Sequence, residues 1–94
     1  MQNLQNEFEN LIGNVIKKRM ELIRDGFIAC GYPDDWMNIP ENARRCNFVE
    51  SEDVENGGFK TSCFVDNELI FEVICSIDHK VMDVISELRI IKKE

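Results

Sequence analysis

From Phe8 to Cys30 the apolar side chains return in steps of three, one and four: Phe8, Leu11, Ile12, Val15, Ile16, Met20, Ile23, Phe27 and Cys30. That is the stripe of an amphipathic helix, and it predicts one over residues 6–30. Asn6 with Glu9 three positions later resembles a capping box, with Asn3 as the alternative cap. Gly31 followed by Pro33 supplies the stop. Gly13 and Gly26 each cost an uninterrupted helix up to about 1 kcal/mol against Ala, so each marks either a break or a close approach.

The period then changes from 3.6 to 2. On Leu69, Phe71, Val73, Cys75 and Ile77 every second residue is apolar, which is one buried face of a strand. Residues 58–65 form a second run whose apolar parity is Phe59, Cys63 and Val65. A two-residue connection would send that parity to the wrong face. A three-residue loop, Asp66-Asn67-Glu68, pairs Val65 with Leu69, Cys63 with Phe71 and Phe59 with Cys75, with Asn67 or Glu68 in the left-handed position. Residues 44–51 alternate (Cys46 and Phe48 against Asn47 and Val49) as an earlier strand, followed by an acidic turn.

Residues 78–92 satisfy two patterns. Val81, Val84, Ile85, Leu88 and Ile91 fit a helix, whereas Met82, Val84, Ser86, Leu88 and Ile90 fit a strand turned back at His79-Lys80. Their β-branched content favours the strand, pairing Ile77 with Met82 and Cys75 with Val84. The expected fold is therefore α+β: one domain over residues 1–94, with the long N-terminal helix packed on a four-stranded antiparallel meander over 44–92. A final helix, giving α-β-β-β-α, is the alternative. Residues 31–43 are the crossover, and Tyr32, Trp36, Met37 and Ile39 are large apolar groups for a loop. They either close one end of the core or present a hot spot to a partner.

Charge changes the picture. The net charge is −7, and residues 48–94 carry 11 acidic and 5 basic side chains, a net −6 against −1 for residues 1–47. This balance argues against a nucleic-acid backbone as partner, which needs clustered Lys and Arg, and favours a basic protein surface. Lys17-Lys18-Arg19 is a short mid-helix charge run without interleaved aromatics, read as solvated surface. No apolar run reaches the roughly 20 residues of a membrane span, and the N-terminus lacks the pattern of a signal peptide. Four cysteines sit among regular apolar periods, so they are expected to be reduced, in a cytoplasmic protein.

Chemistry is sparse. The one histidine, His79, falls in a predicted turn, and no second ligand pair accompanies Cys75 and His79 to build a zinc site. Phosphate loops, dinucleotide fingerprints and metalloprotease motifs are all missing. No catalytic residue, cofactor or metal site is assigned. The expectation is a small acidic protein-binding module, an inhibitor or adaptor of the type common among antitoxins, immunity proteins and phage counter-defence proteins. A small-molecule module or small enzyme with a pocket between helix and sheet is the alternative.

The expected partner surface combines Trp36 of the crossover, the acidic turn Glu50, Glu52, Asp53 and Glu55, and the outer sheet face. There Glu68, Ile70, Glu72, Ile74 and Ile85 mix isoleucines with carboxylates where a wet face would be polar. The same outward isoleucines predict a homodimer, with Arg89 or Lys60 matching the carboxylates across the two-fold.

Overall fold

The computed structural model describes the backbone of residues 2–53, 58–78 and 80–92. Side chains are described for the same residues apart from 2–6, 8 and 53. Helix α1 (Gln2–Ala29) leads into a short 3-10 turn (Trp36–Asn38), a one-turn helix α2 (Pro40–Ala43) and four strands. The strands are β1 (Cys46–Asp53), β2 (Gly58–Val65), β3 (Glu68–Asp78) and β4 (Asp83–Ile90). They form one antiparallel sheet in sequence order, so the chain is an α+β meander with its helix on one face. The strand pattern of residues 83–90 prevails over the helical one.

The helix starts earlier than the capping pattern indicates. Asn3 and Asn6 lie within the span of α1 and not at its first position, because Gln2 to Glu7 holds no helix breaker. Its end follows the expected signal. Gly31 takes φ 104, its N–H donates to the Ile28 carbonyl, and Tyr32 N–H donates to the Phe27 carbonyl at 2.9 Å. This Schellman pattern also brings Tyr32 edge-on against Phe27, with centroids 5.7 Å apart.

The β2–β3 hairpin departs from the expected register in an instructive way. Its connection is a two-residue turn, with Asp66 at φ 52 and Asn67 at φ 68, so Val65 pairs with Glu68 and Phe64 with Leu69. Both central residues are left-handed, the turn whose twist matches that of the strands. The extra residue expected in the loop sits inside β3 instead. Ile70 has no partner across β2, and beyond this bulge Cys63 pairs with Phe71 and Phe59 with Cys75, as the alternation requires. Leu69 is thereby on the outer face with Phe64. Ile70 is 2% exposed and joins the core with Phe27, Cys30 and Phe71. Its carbonyl accepts from the N–H groups of Ile91 and Lys92 and faces the Cys30 thiol at 3.6 Å.

The β3–β4 register is offset by two residues from expectation. Asp78 pairs with Asp83 and Ile77 with Val84, leaving a four-residue connection in which Met82 takes φ 51. A two-residue turn there would need positive φ at both His79 and Lys80, a conformation that the Asp66-Asn67 pair of the other hairpin adopts more readily than lysine does. An even shift preserves parity, so Val84, Leu88 and Ile90 still face the helix.

The core lies at one end. Phe27 meets Phe71 edge-on at 5.1 Å, Trp36 at 5.6 Å and Phe48 at 6.4 Å. α1 packs on β3 and β4, and at Gly26 the Phe71 ring approaches to where a Cβ would stand only 2.6 Å from it. Over β1 and β2 the cover at this end is the 31–43 segment.

Candidate functional site

The residues expected to form one partner surface are distributed over both sides of the sheet. Trp36 is half-buried: it lies 4.4 Å from Tyr32 and stacks on Phe27, with the Arg45 guanidinium 5.5 Å from its ring. It closes the helix-side core and neither covers the outer face nor projects as a hot spot. Glu50 and Glu52 are in β1 and share the parity of Cys46 and Phe48, so they face the helix side, not the outer face. Asp53 ends β1, and its side chain and Glu55 lie outside the described residues, as does His79. Glu68 begins β3 beside the hairpin turn and is ion-paired with Lys92.

On the outer face only part of the expected patch remains. Ile70 is turned into the core by the bulge. Ile74 keeps outward parity yet is 6% exposed, flanked across the sheet by Lys60 and Glu87. Glu72 accepts from the Ser62 hydroxyl at 3.3 Å and pairs with Lys60 at 3.4 Å. Arg89, opposite Glu72 in the sheet, pairs with its neighbour Glu87 at 2.8 Å. Lys60 and Arg89 are thus engaged within the chain, and Asp78 and Asp83, opposite one another on the same face, keep it net acidic. Ile85 is 52% exposed, and with Val49 it is what remains apolar and open there.

The larger open apolar surface is on the other side. Ile12, Ile16 and Met20 run along the flank of α1 at one-turn spacing and are 41–64% exposed, and Phe59 below them is 60% exposed. Together they line a wedge between α1 and the β1–β2 half of the sheet. Arg19 spans this wedge: its Nε donates to the buried Thr61 hydroxyl at 3.1 Å and its terminal nitrogen pairs with Glu50. The bar divides the wedge into two chambers. One, of about 450 Å³, lies among Ile12, Ile16, Phe59, Thr61, Val73 and Ile77. The other, of about 730 Å³, lies among Met20, Ile23, Phe27, Met37 and Phe48, with Asp34 and Asp35 on its rim. Arg24 clamps Asp34 with both nitrogens, and that hydrogen bonding holds the Asp34 carboxyl below the usual range.

The sequence carried a signal for this wedge. Ile12, Ile16 and Met20 widen the apolar stripe beyond what one helix buries against a sheet, and Phe59 extends the inward parity of β2 past the covered core.

All four cysteines are free, and Cys30, Cys63 and Cys75 are buried. Burial pushes the Cys63 thiol up to about 12, helped by the neighbouring Cys46 and Cys30, and raises Cys75 and Cys46 as well. A neutral buried thiol is a poor nucleophile, so Cys75 beside the smaller chamber is not poised for covalent chemistry. Native protein treated with an aromatic disulfide reagent is expected to release at most the half-buried Cys46 quickly, and all four thiols in denaturant. Because the folded Cys63 value lies above the ordinary 9.0, its contribution to stability is complete below pH 9 and is lost as pH rises through 12. Denaturant midpoints that stay flat across this alkaline window would contradict the burial of Cys63.

Among the described residues no cluster of three or more His, Cys, Asp or Glu side chains is arranged to hold a metal ion. No helix among them is long and apolar enough to cross a membrane. Comparison with protein-family models, with curated proteins and with solved structures finds no match for the chain.

Proposed function

We propose that this chain is a protein-binding module, an inhibitor or adaptor for a basic partner, and that it docks through the wedge rather than the outer sheet face. The observation that carries this reading is the apolar wedge itself, with Ile12, Ile16, Met20 and Phe59 exposed on a domain of net charge −7. Exposed apolar area of this kind on a small domain marks an interaction surface. Its setting is protein-like: an apolar floor, an aromatic at the edge and ion pairs at the rim. Binding suits the site better than catalysis, since among the described residues its titratable side chains are arginines, carboxylates and the neutral Cys75 thiol, with no nucleophile–base pair. Four free thiols, three of them buried in apolar surroundings, accord with a cytoplasmic setting.

Capture of a partner from lysate of the native host, repeated at high salt, tests the reading. A partner of high isoelectric point is expected at low salt, released as salt rises and no longer retained by Ile16→Lys. Retention that ignores both salt and this substitution would defeat the proposal. A second reading has one specific observation in its favour. The chamber of about 450 Å³ exceeds the roughly 300 Å³ that a drug-sized ligand requires. An apolar small molecule that raises Tm in the wild type and not in Ile16→Lys would favour it.

Dimerisation through the outer isoleucines loses its main support, because Ile70 and Ile74 are already buried within one chain. Ile85→Lys is therefore expected to leave sedimentation unchanged.

A further inference from the structure

We propose that the wedge receives a single amphipathic helix of the partner, with two apolar anchors about two turns apart and basic side chains beside them. This rests on the binding-module reading above and gives its partner a shape and a chemistry.

The dimensions come first. Strands lie about 4.8 Å apart and a helix with its side chains is about 10 Å across, so one helix covers roughly two strands. α1 packs on β3 and β4. The 31–43 segment covers β1 and β2 only at the Phe27 end, through Trp36 and Met37. What stays open lies between the Ile12–Met20 flank and Phe48 and Phe59, and by this arithmetic the uncovered strands leave room for about one more helix seated over the wedge beside α1.

The Arg19 bar gives the anchor spacing. One chamber is lined by α1 residues 12–19 and the other by 19–27, with Arg19 shared between them. Their centres are thus about seven residues, or roughly 10.5 Å, apart along α1. Apolar residues at i and i+7 of a docked helix share one face and stand about 10.5 Å apart, so one anchor enters each chamber across the bar.

Charge selects the occupant. Glu50 and Asp34 are neutralised by Arg19 and Arg24. Glu52 neighbours Phe59 in the sheet, Asp35 lines the larger chamber, and neither is in an ion pair among the described residues. One uncompensated carboxylate therefore accompanies each chamber, which favours Lys or Arg next to each anchor. A second copy of this chain would bring the same carboxylates and another net −7 to the rim, so self-pairing is disfavoured.

The test uses a labelled synthetic helix of about 16 residues, with Leu at i and i+7, Lys flanking each and Gln or Ala elsewhere. Its isomer has identical composition but its leucines on opposite faces. Fluorescence anisotropy is expected to show the first peptide binding at least tenfold tighter than the isomer. Ile16→Lys should weaken it at least tenfold, and Glu52→Gln with Asp35→Asn severalfold with a flatter salt dependence. Circular dichroism confirms that each variant is folded. Equal binding of both peptides, indifferent to Ile16→Lys, overturns the wedge. Binding abolished by Ile85→Lys and not by Ile16→Lys overturns the wedge but keeps a basic-partner module with its site on the outer face. A peptide that binds nowhere overturns both. A native dimer dissociated by Ile16→Lys also overturns the inference, in favour of a second copy.

Discussion

Phe71→Ala is expected to cost about 3–5 kcal/mol of stability, the usual loss when a buried phenylalanine is truncated. Phe71 is fully buried in the central strand, edge-on to Phe27 and against the backbone of α1 at Gly26. The bulge at Ile70 restores the parity that points it there, so the cavity would open where helix, bulge and hairpin meet. A domain of this size is stable by about 5–15 kcal/mol in total, so the variant would sit near its unfolding threshold. Phe59→Ala is the control. The same residue type on the same face of the sheet, but 60% exposed, should change the urea midpoint little. Similar losses for both would mean that the core does not end where the wedge begins.

Gly26→Ala is expected to destabilise by about 1–3 kcal/mol, although alanine is the better helix former. Propensity alone favours alanine by up to about 1 kcal/mol. Against that, its Cβ would lie 2.6 Å from two atoms of the Phe71 ring, which is packed on all sides and has nowhere to retreat, and overpacking of this sort costs about 1–3 kcal/mol. The clash wins because it is with a buried ring and not with a flexible chain end. Gly13→Ala carries the opposite sign. Nothing lies within 4 Å of its added Cβ, so the propensity gain should appear almost undiminished as a raised midpoint. Two glycines in one helix with opposite responses can be read from a single denaturation series. A stabilised Gly26→Ala would show that α1 stands further from the sheet than described.

These two substitutions also mark the boundary of what could be read in the chain. The sequence carries two candidate breaks at Gly13 and Gly26 with no means of telling them apart; only the ring across the interface does so. The buried face of β3 was legible from Phe71, Val73, Cys75 and Ile77, because a period of two survives any choice of turn. Ile70 was not legible. Its parity points outward, and only a bulge, demanded jointly by a two-residue turn and an inward Phe71, brings it into the core.

The candidate site divides along the same line. Acidic balance, reduced cysteines and surplus apolar residues were all present in the composition, yet on the outer face they suggested Ile70 and Ile74 are buried, and Glu72 and Glu87 are ion-paired with Lys60 and Arg89. Cross-strand neighbours decide that, and they are distant in sequence. Arg19 was read as part of a solvated run, whereas it reaches across to Thr61 and Glu50, 42 and 31 residues away.

Local periodicity, then, determined the number, type and inward faces of the elements, since helix and strand repeats are properties of neighbouring residues. Where α1 lies across the sheet was decided by tertiary packing alone. A single helix cannot cover four strands, and the Gly26–Phe71 contact seats it over β3. The apolar flank left open beside β1 and β2 follows from that seat.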